Sequence, residues 1–188
     1  YMLEKRLDTI LVTIISDQGS APRGAGSQML VGTEGRILGT IGGGAVEGNA
    51  DAMARKLLQE KRSCCHLFQL HAAAKENIGM VCGGDVQVLF QYIPGTSDVW
   101  QALAGKLLEM TAARQSGWLA LKTDGSAPSL LTGNGQTVLG DPVSGQFAGT
   151  GWKPEESKTV FCLPLPIGER AIIFGGGHCA QALAPLLH

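Results

Sequence analysis

The chain has 188 residues and a formal net charge of −1, with 44% hydrophobic and 16% charged residues. This length suits one full domain with part of another, and the balance suits a folded core rather than a disordered chain. The near-neutral charge speaks against nucleic acid or an anionic membrane as main partner; no apolar run approaches the ~18 residues of a membrane span, and residues 1–8 lack a signal-peptide core.

Leu7 to Ile15 is almost continuously apolar and reads as a buried strand. Residues 17–27, rich in Gly, Ser and Pro, read as a loop, and Gln28 to Val31 as a short strand. Thr33-Glu34-Gly35 turns into a strand over Arg36 to Ile41. From Ala45 to Arg62 the spacing of Val46, Ala50, Met53 and Leu57 predicts a helix with one apolar face. Cys64 to His71 and Val86 to Ile93 read as strands. Between them Met80 to Asp85 forms a turn. Ser97 or Asp98 caps a second helix with Trp100, Leu103, Leu107 and Met110 on its apolar face, and Gly117 is its expected stop. Trp118 to Lys122 reads as a strand, Thr123 to Glu156 as short hairpins followed by a linker.

The end of the chain changes character. Pro164, Pro166 and Gly168 mark a boundary. Arg170 to Phe174 then reads as a parallel-type strand, Gly175-Gly176-Gly177-His178-Cys179-Ala180 fits G-x-G-x-x-A, and Ala180, Leu183, Ala184 and Leu187 give a helical face. Strand, glycine turn and helix is the context of the dinucleotide fingerprint. Gly175 permits the turn, Gly177 lets a pyrophosphate approach, and Ala180 lets helix and strand pack. The acidic residue that would hold a ribose belongs about 20 residues further on, beyond His188. The expected fold is therefore α/β: a mixed β-sheet flanked by helices over residues 1–163, a linker over 164–169, and the first strand–turn–helix of a Rossmann-like domain over 170–188. Nucleotide binding is expected only of an intact C-terminal domain. In this chain the orphan unit is expected to dock on the first domain, to swap onto a second copy, or to be disordered.

Three polar-glycine elements precede residue 90. Arg23, within Gly19-Ser-Ala-Pro-Arg-Gly24, lies in a loop suited to a phosphate or carboxylate, or is a surface arginine. Gly42-Gly43-Gly44 stands at a strand-to-helix junction, where glycines allow close backbone approach and the helix start is positive. Glu47 in the first turn either complements the helix dipole or meets amino groups of a ligand. Cys82, followed by Gly83 and Gly84, reads as a reactive thiolate, a soft metal ligand, or a small buried residue. Five cysteines without a C-x-x-C pair argue against a disulfide framework and for a reducing cytoplasm. Cys64, Cys65, His66 and His71 do not have zinc-site spacing.

The ordered set Gly19–Gly24, Gly39–Glu47, Cys82–Gly84 and Ile173–His178 resembles the xanthine dehydrogenase accessory factors of the XdhC/CoxI family. The resemblance implies a maturation factor. It would bind molybdenum cofactor (molybdopterin), support its sulfuration and pass it to an apo molybdenum hydroxylase, with a cysteine desulfurase as partner and a homo-oligomer as the expected state. It implies a carrier more than an enzyme. Arg23 and the backbone of Gly42, Gly43 and Gly44 would then meet the cofactor phosphate, Glu47 the pterin nitrogens, and Cys82, with Gly83 beside it, the molybdenum or its exchangeable sulfur. Two other classes stand beside this reading. One is an oxidoreductase using a nicotinamide or flavin nucleotide at Gly175 and Gly177; the other is an interaction module whose glycines only turn the chain.

Overall fold

The computed structural model describes residues 5–19, 23–69, 84–148, 151–154, 159–165 and 173–187. Five strands form the first sheet: β1 (Thr9–Gln18), β2 (Gln28–Gly32), β3 (Gly35–Gly39), β4 (Cys64–Gln69) and β5 (Asp85–Ile93), ordered β3-β2-β1-β5-β4. Helix α1 (Gly44–Glu60) joins β3 at one edge to β4 at the other. All pairings in this sheet are antiparallel, whereas the sequence reading expects a mixed sheet. The reason is that α1 carries the chain past β2 and β1 to a position beside β5, which runs opposite to β4.

The unbroken apolar run of β1 has a physical cause. Ile10, Val12 and Ile14 pack with Val46, Ala50, Ala54 and Leu57 of α1. The intervening Leu11 packs with Ile93, Trp100, Leu103, Leu130 and Leu165 in a second cluster. Both faces of the strand are covered, so alternation is lost. Each fully buried Val, Leu or Ile contributes about 1.5–3 kcal/mol.

The second layer begins with α2 (Asp98–Ala112), capped by Ser97, whose hydroxyl accepts the Trp100 N–H. Its sheet is β11-β6-β7-β8, from β6 (Gly117–Lys122), β7 (Ser129–Thr132), β8 (Thr137–Leu139) and β11 (Val160–Pro164). A separate hairpin joins β9 (Gly145–Ala148) and β10 (Gly151–Pro154). Gly117 is not the stop of α2. Arg114 takes the left-handed conformation (φ 53) and Gln115 N–H donates to Met110 O at 2.9 Å, closing the helix three residues earlier. Gly117 instead opens β6, where a Cβ would lie 2.4 Å from Leu131 O. β11 falls in a stretch that the turn signals leave without a strand. Leu165 follows it, 5% exposed in the core beside Trp100 and Met110.

At the C-terminus, Gly175 has φ 102 and Gly177 caps α3 (His178–Leu183), which leads into a 3-10 turn over Ala184–Leu187. Residues 170–172 of the expected strand lie outside the described residues, and Ile173 and Phe174 are in no strand. Phe174 is 93% exposed and α3 buries no residue. Among the residues of this unit whose burial is described, none is buried. No helix among the described residues is long and apolar enough to cross a membrane.

Candidate functional site

The register of the first sheet gathers the sequence motifs at one end. Thr13 of β1 faces Gln28 of β2, and Met29 faces Gly39 of β3. Gln18 and Gln69 both face Asp85. The loop carrying Arg23, the loop of Gly42 to Gly44, and both flanks of the 70–84 segment therefore meet at the same sheet end. Cys82 and Gly83 lie outside the described residues; Gly84, which follows them, is buried next to Asp85.

The Arg23 loop is anchored by its neighbours. Gly26 N–H donates to Ile14 O at 2.8 Å, Ile14 N–H to Ser27 O at 3.0 Å, and Ala25 N–H to Asp17 Oδ1 at 2.8 Å. Arg23 itself is exposed and pairs with no carboxylate among the described residues.

The glycine loop is built around Glu47. Its Oε2 accepts hydrogen bonds from the Thr40 hydroxyl, from Ile41 N–H at 3.0 Å and from Gly43 N–H at 3.1 Å. Its Oε1 pairs with Arg36 Nη1 at 2.9 Å, and the same guanidinium reaches Gly39 O at 3.3 Å. Thr40 Oγ1 in turn accepts Gly42 N–H at 3.1 Å, and Thr40 N–H donates to Gln28 O at 2.9 Å. Gly39, Gly42, Gly43 and Gly44 all have positive φ (75, 126, 75 and 65). This run of left-handed backbone explains why glycine fills the junction. Burial alone would push the Glu47 carboxyl up. The Thr40 hydroxyl, then the Gly43 and Ile41 amides and the Arg36 charge, outweigh it and hold the group below the usual glutamate range.

Sequence reasoning singled out Glu47 but missed Thr40 and Arg36. The signal was present as a threonine two positions before Gly42 and a basic residue on the preceding strand, but only the folded loop brings Arg36 to a carboxylate eleven positions away. Gly43 is half-buried, yet no other atom lies within 4 Å of where its Cβ would stand, so the loop is open there. Gly175, Gly176 and Gly177 are equally open but exposed and distant in sequence. Cys64 and Cys65 sit on opposite faces of β4, and burial raises both thiols.

Residues 2–70 match the XdhC and CoxI family. The matched span holds Arg23, Gly42 to Gly44 and Glu47 and ends before Cys82. The chain is 33% identical over 85 residues to protein YqeB of Escherichia coli (strain K12), covering 45% of this chain and 16% of YqeB. Its fold is similar to the crystal structure of a xanthine dehydrogenase from Bacillus halodurans, with a TM-score of 0.64 and 17% identity, covering 87% of this chain and 50% of that one. The chain thus spans half or less of these two relatives.

Proposed function

We propose that this chain is the cofactor-holding part of an accessory factor for the maturation of a xanthine dehydrogenase-type molybdenum hydroxylase. The observation that carries the reading is the convergence of the Arg23 loop, the Gly42–Gly44 loop and the start of β5 at one end of one sheet. The match of residues 2–70 to the XdhC and CoxI family supports it.

Molybdopterin combines a flat pterin, an anionic phosphate and a dithiolene-held molybdenum. The residues here fit the first two parts. Gly43 leaves room for close approach of a flat group, and Arg23 offers an exposed guanidinium for an anion. Cys82 stands three positions before Asp85 in the sequence, and a thiolate is the donor type a soft metal or its sulfur would take. When bound, the cofactor supplies the redox chemistry of the client enzyme. The chain's own residues would hold, orient and shield it. An apo molybdenum hydroxylase is the recipient in this reading, with a cysteine desulfurase as the sulfur source.

The test is molybdenum and pterin analysis of the protein purified after co-expression with the cofactor pathway. Near-stoichiometric pterin, reduced in Arg23→Ala and Cys82→Ala, is expected. Pterin content unchanged in both folded variants overturns the assignment.

A further inference from the structure

The sequence offers Glu47 as a ligand contact and the loop amides as a phosphate cradle; the geometry reverses these roles. Amides 40 to 43 are all engaged within the chain: Thr40 with Gln28 O, Ile41 and Gly43 with Glu47 Oε2, and Gly42 with Thr40 Oγ1. A concave run of backbone N–H groups is the usual seat of an external anion. Here a carboxylate of the chain already sits in it, 16% exposed and braced by Arg36. An incoming phosphate would have to displace a charged group that makes three hydrogen bonds and an ion pair.

We infer that Glu47, with Thr40 and Arg36, is a positioning group: it serves as the loop's internal anion and holds Gly42 and Gly43 in the shape that receives the ligand, without touching the ligand itself. This rests on the cofactor-holding reading above. Its consequence for recognition is that the loop presents open backbone to a flat, neutral part of the ligand at Gly43, and that the anionic tail must be met elsewhere, with Arg23 an exposed cation at the same sheet end. The charged group facing Glu47 from the adjoining strand is Arg36. On its own helix, Asp51 one turn on is paired with Arg55.

Two readouts on the full chain test the inference. The first is the amide NMR resonances of Ile41 and Gly43, followed from pH 7 downward. They should titrate together below the ordinary glutamate range in the wild type and lose that titration in Glu47→Gln. The second is pterin content after co-expression. Glu47→Gln and Thr40→Val should each retain about threefold less pterin or worse, while Thr40→Ser, which keeps the hydroxyl, should retain the wild-type level. Thr40→Val keeps the side-chain shape and serves if Glu47→Gln does not fold. Full pterin content in Thr40→Val or in folded Glu47→Gln overturns the inference, as does a Glu47-independent titration of the two amides. A wild type that carries no pterin defeats the cofactor reading and the inference with it, and the amide titration then shows whether the loop geometry survives.

Discussion

The Tyr92 hydroxyl donates a hydrogen bond of 2.7 Å to Asp8 Oδ2, while Gly95 N–H donates to Asp8 Oδ1 at 2.9 Å. These bonds tie the entrance of β1 to the end of β5 and the turn that follows it. The Tyr92 bond, then the Gly95 amide, hold Asp8 below the usual aspartate range against a smaller opposing effect of burial, with Lys61 assisting. Burial first, and the Asp8 carboxylate second, push Tyr92 up to about 12.

The pair predicts a two-sided pH dependence of stability. Asp8 has a folded value below its unfolded one, so its contribution is complete above the unfolded range near pH ~4 and is lost as pH falls through the folded value. Tyr92 has a folded value above its unfolded one, so its contribution is complete below pH ~10 and is lost as pH rises through about 12. Urea midpoints measured from pH 3 to 11 should show both limbs. Tyr92→Phe should remove the alkaline limb and shrink the acid one, whereas Asp8→Asn should shrink the acid limb and weaken the alkaline one. An alkaline limb unchanged in Tyr92→Phe would place the titrating group elsewhere.

The contrast between helices and strands shows what a sequence of this kind reveals. The apolar spacing of Val46, Ala50 and Leu57, and of Trp100, Leu103 and Met110, locates both helices because burial on one face forces that period. β11 escapes notice because Pro164 looks like a boundary. It is an edge strand, where a residue without an N–H is tolerated, and Pro164 faces Trp118 there. The candidate site was legible as residue types, since Arg23, Gly42 to Gly44 and Glu47 all stand out. Its internal wiring was not. The Arg36–Glu47 pair and the Thr40 contact depend on left-handed backbone at four glycines, which composition cannot order into a shape.

Two helix glycines invite a comparison. Gly48 in α1 and Gly105 in α2 have no neighbour within 4 Å of a built Cβ and carry no positive φ. Alanine at either should stabilise the chain by about 0.5–1 kcal/mol by restricting the unfolded chain and favouring the helix. Chemical denaturation checks both. Gly48 directly follows Glu47. If ligand lies against the first turns of α1, Gly48→Ala should lower pterin retention while raising stability, and Gly105→Ala should raise stability alone.

Arg114 closes α2 in a conformation that costs a non-glycine residue about 1–2 kcal/mol. Arg114→Gly relieves that strain but adds freedom to the unfolded chain, so a net gain of about 0.5 kcal/mol is expected. The measurement is the shift in urea midpoint at constant slope. A loss would mean that the arginine side chain makes a contact that outweighs its backbone strain.

Gly39 and Gly43 share φ 75 but differ in their surroundings. A Cβ on Gly39 would stand 2.4 Å from Gln28 O and 3.1 Å from Met29 Cα, both backbone atoms that cannot rotate away, whereas a Cβ on Gly43 would meet nothing within 4 Å. Gly43→Ala should therefore cost only the strain of a glycine-type backbone (φ 75, ψ −174), about 1–3 kcal/mol. Gly39→Ala adds a clash that must part β2 from β3 beside the Thr40–Gln28 bond, and should cost about 3 kcal/mol or more. The two variants separate strain from sterics within one loop. Equal losses in chemical denaturation would show that the β2–β3 edge yields freely. A larger loss in Gly43→Ala would show that Gly43 is packed, which would remove the open face on which the reading of the site depends.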